Sequence, residues 1–312
     1  FTAWDDVYGG GSYKNAPEGR PFFYVKNYYT THESRIWLRK DKPMTVAPSA
    51  VAVPDYYADI PIVREGIARK YSNIEALDKE VGVLLDQLEA DGVMENSVIF
   101  FWSDHGGNLL RQKRAVGDSG LHVPLIIRYP NGYRAGETES RMVSLMDLGP
   151  TVLSLTGQKP PKHMDGKAFA GPFEEAPRDY IFGSADRFDE STDMQRSVLD
   201  GRYVYIKNFM PELPLIYRNR YREQIPMNKH LIELDAEGKL EGDAAYIFMK
   251  TKPQEELYDL KNDPYEVHNL ANDPAHAEKL KEMSTQLSQW QSAIQDRGFT
   301  PESEIIREFW PG

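Results

Sequence analysis

Asp104 and His105 stand where an apolar run, Val98-Ile99-Phe100-Phe101-Trp102, gives way to Ser103; Gly106-Gly107 follow the pair. A carboxylate beside a neutral imidazole offers one oxygen and one nitrogen donor to a divalent metal. A strand-end Asp that caps the next turn, with a polar neighbour, fits the same residues equally well. A few positions on, Arg111, Lys113 and Arg114 place three cations within four residues. That cluster reads either as a solvated basic loop or as a clamp on a tetrahedral oxyanion. In the clamp, Lys is a point charge and Arg a planar fork. A second apolar run, Phe22-Phe23-Tyr24-Val25, leads through Asn27-Tyr28-Tyr29 to Thr30-Thr31-His32-Glu33-Ser34 and carries another imidazole.

These groups need elements to hold them. The run at 98–103 predicts a buried strand: it is short for a helix and rich in β-branched and aromatic residues. Pro21 to Tyr29 predicts another. In an open α/β sheet, ligands sit outside the carboxyl ends of the strands, so Asp104, His105 and His32 are expected on one rim. Ile67, Tyr71, Ile74, Leu77, Val81, Leu84, Leu85 and Leu88 recur at helical spacing. They predict a helix from about Val63 to Ala90, stopped by Asp91-Gly92. A helix feeding a buried strand is the α/β pattern. Residues 41–61 read as a long loop. Val123 to Pro130 predicts a strand, with Pro124 at its start or on an edge. Val143 to Leu155 predicts a helix, with Asp147 as a surface charge or local cap.

From about residue 158 the texture changes. Prolines cluster up to Pro177, and short strand-like segments follow at 180–183, 195–199, 203–206 and 257–260. Asp200-Gly201 predicts a hairpin with a two-residue turn. A last amphipathic helix is expected from about Pro274 to Gln295. The organisation predicted is therefore 1–157 as an α/β unit and 158–312 as a small α+β unit with an antiparallel sheet. Asp186-Arg187-Phe188-Asp189-Glu190 follows a strand of the second unit. Arg187 there can take an anion, and Glu190 sugar hydroxyls; an ordinary charged loop is the competing reading.

Composition narrows the classes. The 312 residues carry a net charge of −11, which argues against a nucleic-acid partner. The chain has no cysteine, so disulfides and thiolate zinc sites within it are excluded. No apolar run has the length of a membrane span.

Several blocks together resemble the type I sulfatases of the alkaline-phosphatase superfamily. They are Ser103-Asp104-His105-Gly106 with Lys113, then Asp118-Ser119-Gly120-Leu121-His122 running into Val123–Arg128. Glu256-Leu257-Tyr258-Asp259-Leu260 with Asp263-Pro264, Glu266 and Asn269-Leu270 closes the set. The segment Pro21-Phe22-Phe23 to Thr31-His32-Glu33-Ser34 is similar to the subset related to heparan N-sulfatase. The resemblance implies a mixed, largely parallel sheet sandwiched by helices, with the N-terminal part missing, and a small antiparallel C-terminal sheet. It implies Asp104 and His105 as calcium ligands, Lys113 as the sulfate-contacting lysine and His32 as the leaving-group histidine. Arg111 lies near Lys113 as a candidate substrate contact. The substrate implied is a sulfated sugar, in a periplasmic, extracellular or lysosomal setting.

One departure stands out. Family members use a formylglycine nucleophile made from Cys or Ser in a C/S-x-P/A-x-R motif, together with a first Asp-Asp metal pair. Neither is found here, and Asp5-Asp6 does not stand in for the pair. The chain is thus expected to be the C-terminal part of a sulfatase, inactive alone. Competing readings are a phosphoesterase of the same superfamily and a non-catalytic fragment. An unpaired sheet edge in such a part is expected to favour association.

Overall fold

The short α1 (Ser34–Leu38) and the long α2 (Pro61–Ala90) open the regular structure of this computed structural model, which describes residues 4–6, 11–188 and 191–310. Strand β1 (Ile99–Trp102) follows, then α3 (Asp118–Leu121), β2 (Leu125–Arg128) and α4 (Leu148–Leu155). The second half holds β3 (Ile181–Phe188), β4 (Ser191–Leu199), β5 (Tyr203–Asn208), α5 (Pro226–Ala236), α6 (Gly242–Tyr246) and β6 (Glu255–Asp259). It closes with α7 (Ala277–Ala293) and α8 (Glu302–Phe309). Among the described residues no helix is long and apolar enough to cross a membrane.

Helix α2 begins with Pro61 in its first turn, after an extended Ile60, as a residue without a backbone donor favours. It ends where Gly92 takes φ +70°. Val63, Ile67 and Ala68 bury its first half against Ile36, Tyr56, Tyr57, Leu109 and Leu110. Met227 and Leu231 of α5 join the same core, so residues from both sides of position 158 share it. Gly66 permits that contact: a Cβ there would lie 2.7 Å from the Met227 sulfur.

The four-stranded sheet runs β3-β4-β5-β6, antiparallel throughout. The hairpin is present with its two-residue turn one position later than expected: Asp200 N–H donates to the Tyr203 carbonyl, and the chain turns through Gly201 at φ +92° and Arg202. Period-two alternation splits the side chains of β5. Tyr205 faces α7, with Val198, Leu257, Met283 and Leu287. Val204 and Ile206 face the other way and pack with Tyr258 on Val116. That second face is what seats the loop after β1 on the sheet. Arg196 is 1% exposed and is held by Asp186 and Asp296, which ties the end of α7 to β4.

Three expectations need correction. Residues 21–29 form no strand; Phe22, Phe23, Val25 and Tyr29 are exposed. A strand exists only through a partner's hydrogen bonds, and no described segment supplies them. The mixed α/β class and the antiparallel C-terminal sheet are present, but the described strands form no parallel pairing. Strand β1 instead pairs antiparallel with β2, Ile99 opposite Arg128, because the loop between them returns the chain on itself. Asp147 is a cap but not a surface charge: it is buried, closes a capping box with Ser144 and accepts from Arg178 and the Lys167 N–H.

Because Leu287 is fully buried between α7 and the sheet, Leu287→Ala should lower stability by about 2–5 kcal/mol. Urea unfolding of the chain checks this. A loss below about 1 kcal/mol would mean that α7 does not clamp the sheet.

Candidate functional site

The loop leaving β1 doubles back on itself within a few residues. Ser103 Oγ donates to the His105 carbonyl at 2.7 Å. Gly106 N–H donates to the Gly120 carbonyl at 2.8 Å, and Lys113 N–H to the Gly107 carbonyl at 2.7 Å. Two glycines permit the closeness. A Cβ on Gly106 would lie 2.0 Å from the Ser119 carbonyl oxygen, and one on Gly107 2.0 Å from Gln112 Oε1. The fold thereby brings Lys113 back beside the strand end that carries Asp104 and His105.

At that end, His105 Nδ1 lies 2.8 Å from the Gly106 carbonyl. A carbonyl only accepts, so Nδ1 carries the proton and Nε2 the lone pair. Nε2 is 3.6 Å from Asp104 Oδ2, and the Asp104 side chain is largely exposed. Two lone-pair atoms so placed call for a cation or a proton between them. The spacing suits two neighbouring ligands on one ion at about 2.3–2.6 Å from each. Among the described residues no three His, Asp or Glu side chains converge as a metal site. The pair fits a hard divalent cation, as part of a ligand set.

The His32 turn comes from far away in sequence and is stapled to this loop. Asn108 Nδ2 donates to the Thr31 carbonyl at 2.9 Å. The next residue, Glu33, is 2% exposed. Its carboxylate accepts both terminal nitrogens of Arg114, at 3.1 and 3.2 Å, and pairs with Lys113 Nζ at 3.2 Å. Burial pushes the Glu33 carboxyl up, but Arg114 and Lys113 together hold it below the usual range. His32 Nδ1 accepts the Ser34 N–H at 3.3 Å, which leaves the ring proton on Nε2. Burial lowers the His32 pKa first, and the Lys113 charge lowers it further; Glu33 opposes, while Arg35 and His105 add to the fall. His32 is thus a neutral donor in the field of Lys113 and His105.

The other expected residues are placed as follows. Arg111 turns inward: it donates to the carbonyls of Tyr265 and Glu266 and lies over the rings of Tyr56 and Tyr246. Arg187 is exposed on β3 and forks onto Glu302 of α8. Glu190 lies outside the described residues. A cleft does open beside the loop, and Arg111 lines it together with Lys113, Arg114, Gln195, Tyr217 and Arg222. Glu33 is the residue that sequence reasoning missed; its only signal was its place next to His32.

The family model described as Sulfatase matches residues 10–158. The whole chain is 38% identical to an ulvan-active sulfatase of Formosa agariphila, of which it covers 58%. Human N-sulphoglucosamine sulphohydrolase is 26% identical over 85% of the chain and 55% of that protein. The chain thus spans just over half the length of these curated relatives. Among solved structures, a 2-O GAG sulfatase superposes with a TM-score of 0.58 at 18% identity, over 93% of this chain and 56% of that one. A phosphonate monoester hydrolase of Agrobacterium radiobacter does so at 0.56 and 20%, over 80% and 52%. These likenesses show an alkaline-phosphatase-like fold.

Replacing Glu33 by Gln leaves two half-buried cations without their carboxylate. The variant should lose about 3–5 kcal/mol at neutral pH. A carboxyl with a lowered folded pKa stabilises above its unfolded value, here 4.5, and that contribution fades as pH falls through the folded value. Denaturant titrations should therefore show wild type and Glu33→Gln converging below about pH 4.5. A gap that stays constant with pH would contradict the pairing.

Proposed function

This chain belongs to the sulfatase family, and from that premise we propose that it carries one side of the active site of a sulfuric ester or sulfamate hydrolase. The substrate class is a sulfated sugar or glycan. The names of its relatives support this: they include ulvan-active sulfatases and N-sulphoglucosamine sulphohydrolase. The observation that carries the reading is the meeting of His32 with Lys113 and His105 across a long stretch of sequence, fixed by Glu33 and Asn108.

The geometry supports the following roles. Asp104 Oδ2 and His105 Nε2 are the donors for a calcium ion, which when bound would neutralise charge on the sulfate oxygens. Lys113 Nζ is held by Glu33 and donates to the same sulfate. Its charge counts most where negative charge builds up in the transition state. His32 presents Nε2–H on the leaving-group side and, neutral at pH 7, donates a hydrogen bond to the departing oxygen or nitrogen of the sugar; its imidazolium form is the one that would hand over a proton. Glu33 keeps Lys113 aimed, and Arg114 shares the load. The formylglycine nucleophile and the first acidic metal pair are expected outside residues 1–312.

Two measurements on the whole protein test this reading. Lys113→Ala should cut kcat on an aryl sulfate by about 10²–10³-fold; near-normal kcat would remove Lys113 from the sulfate site. Asp104→Ala should weaken calcium binding by at least about tenfold in calorimetry. Unchanged calcium affinity would make Asp104 a turn residue alone. Faster turnover of a phosphate monoester than of the matching sulfate ester would favour the phosphoesterase reading instead.

A further inference from the structure

Lys113 sits between two residues with unusual backbone. Arg111 has φ +61° and Arg114 φ +77°, left-handed values that side chains other than glycine rarely adopt. Each such residue stores strain and persists only where its surroundings over-determine it. Arg114 is fixed by Glu33, as described. Arg111 is fixed from the opposite side of the loop, by the segment that follows β6.

That contact is reciprocal. From the loop, the Arg111 guanidinium donates to the carbonyls of Tyr265 and Glu266. From the other partner, Glu266 Oε1 accepts the Asp118 N–H at 2.8 Å. Glu266 Oε2 lies 3.9 Å from Arg111 Nη2. The Glu266 side chain is buried, and a Cβ on Gly117 would lie 2.5 Å from its carboxylate. Glu266 itself has φ +53° and follows a turn closed by Asp263, whose carboxylate accepts the Val267 and His268 N–H groups. The two ties grip the loop at 111 and at 118, on either side of Lys113. Ser119 Oγ, donating to the Arg111 carbonyl at 2.5 Å, closes the span.

We infer that Arg111 and Glu266 form a clasp that holds the 111–118 loop in its strained course, and that Glu266 is a positioning residue for Lys113. The loop geometry is independent of any substrate; the effect on turnover rests on the sulfatase reading. Released from the clasp, the loop relaxes at Arg111 and Lys113 leaves the place that Glu33 and the sulfate require.

The clasp carries a pH signature. Burial raises the Glu266 pKa to about 7; Arg111 and the Asp118 N–H pull it down, and the charges of Asp118 and Glu256 push it up. Burial pushes the Tyr56 hydroxyl up, and the charge of Glu266 adds a smaller push. Tyr265 is the adjoining residue, and its carbonyl takes the other arm of the Arg111 fork. A carboxyl whose folded pKa is raised contributes stability that is complete below its unfolded value, 4.5, and is lost as pH rises through about 7. Gln at this position keeps the accepting oxygen and removes the ionisation.

The test compares wild type, Glu266→Ala and Glu266→Gln in the whole protein. Readouts are kcat and KM on an aryl sulfate, amide exchange at Asp118, and stability between pH 5 and 8. Glu266→Ala should lower kcat by about 10–100-fold with KM little changed, and should expose the Asp118 amide. Glu266→Gln should restore both. Wild type should lose stability relative to Glu266→Gln as pH rises from 5 to 8. If Glu266→Ala fails to fold, Gly117→Ala takes its place, since its methyl displaces the carboxylate; it should reproduce the kcat loss and the exposed amide. Wild-type kcat in the Ala or Gly117→Ala variant, or an Asp118 amide still protected in it, would overturn the clasp. A whole protein that hydrolyses no sulfate ester would refute the sulfatase reading, while the Asp118 amide would still decide on the clasp.

Discussion

Everything at the candidate site depends on one buried carboxylate. Glu33 is almost fully removed from water, yet it stays ionised because Lys113 and Arg114 bring two positive charges to it. A lone charge at such a place would cost several kcal/mol of desolvation. The three groups therefore stand or fall together. Their meeting sets the distance between the His32 turn and the loop after β1, two segments joined otherwise by the Asn108–Thr31 bond. The same meeting tunes the chemistry: the charge on Lys113 helps to keep His32 neutral.

The loop that answers Glu33 is shaped by what it lacks as much as by what it holds. Gly106, Gly107, Gly117 and Gly120 each approach a backbone or side-chain oxygen more closely than a Cβ allows. Those approaches let the chain after β1 fold into a compact pad, seated by Val116 on Val204 and Ile206 of the sheet. The pad joins the two halves of the chain. Its upper side carries Asp104, His105 and Lys113; its lower side is held by Arg111 and the segment after β6. A lysine on a loop gains the precision of a rigid element when the loop is anchored from both sides.

Much of this was legible in the sequence, and the reasons differ by residue. Helix α2, the end of β1 and the hairpin at Gly201 are written in local periodicity and turn chemistry, and the structure has them. The stretch 21–29 has strand-like residues but no partner, a non-local fact that composition does not carry. Helix α5 was missed: few of its residues, Met227 and Leu231 among the apolar ones, are buried, so its apolar side reads weakly. The roles of Glu33 and Glu266 are invisible locally, since their partners Arg114 and Asp118 lie 81 and 148 residues away. The tie of Arg111 to the C-terminal segment is invisible locally for the same reason. A cation beside Lys113 in sequence turned out to serve two carbonyls of the C-terminal segment. Block order and spacing carried the family where local chemistry left alternatives open.

The most direct test of the account is a crystal structure of the whole protein grown with calcium and a slowly hydrolysed sulfated sugar. The account predicts an anomalous calcium peak within bonding distance of Asp104 Oδ2 and His105 Nε2, and a sulfate oxygen hydrogen-bonded to Lys113 Nζ with the leaving atom facing His32 Nε2. Calcium bound away from that pair, or a sulfate group seated without Lys113, would contradict it.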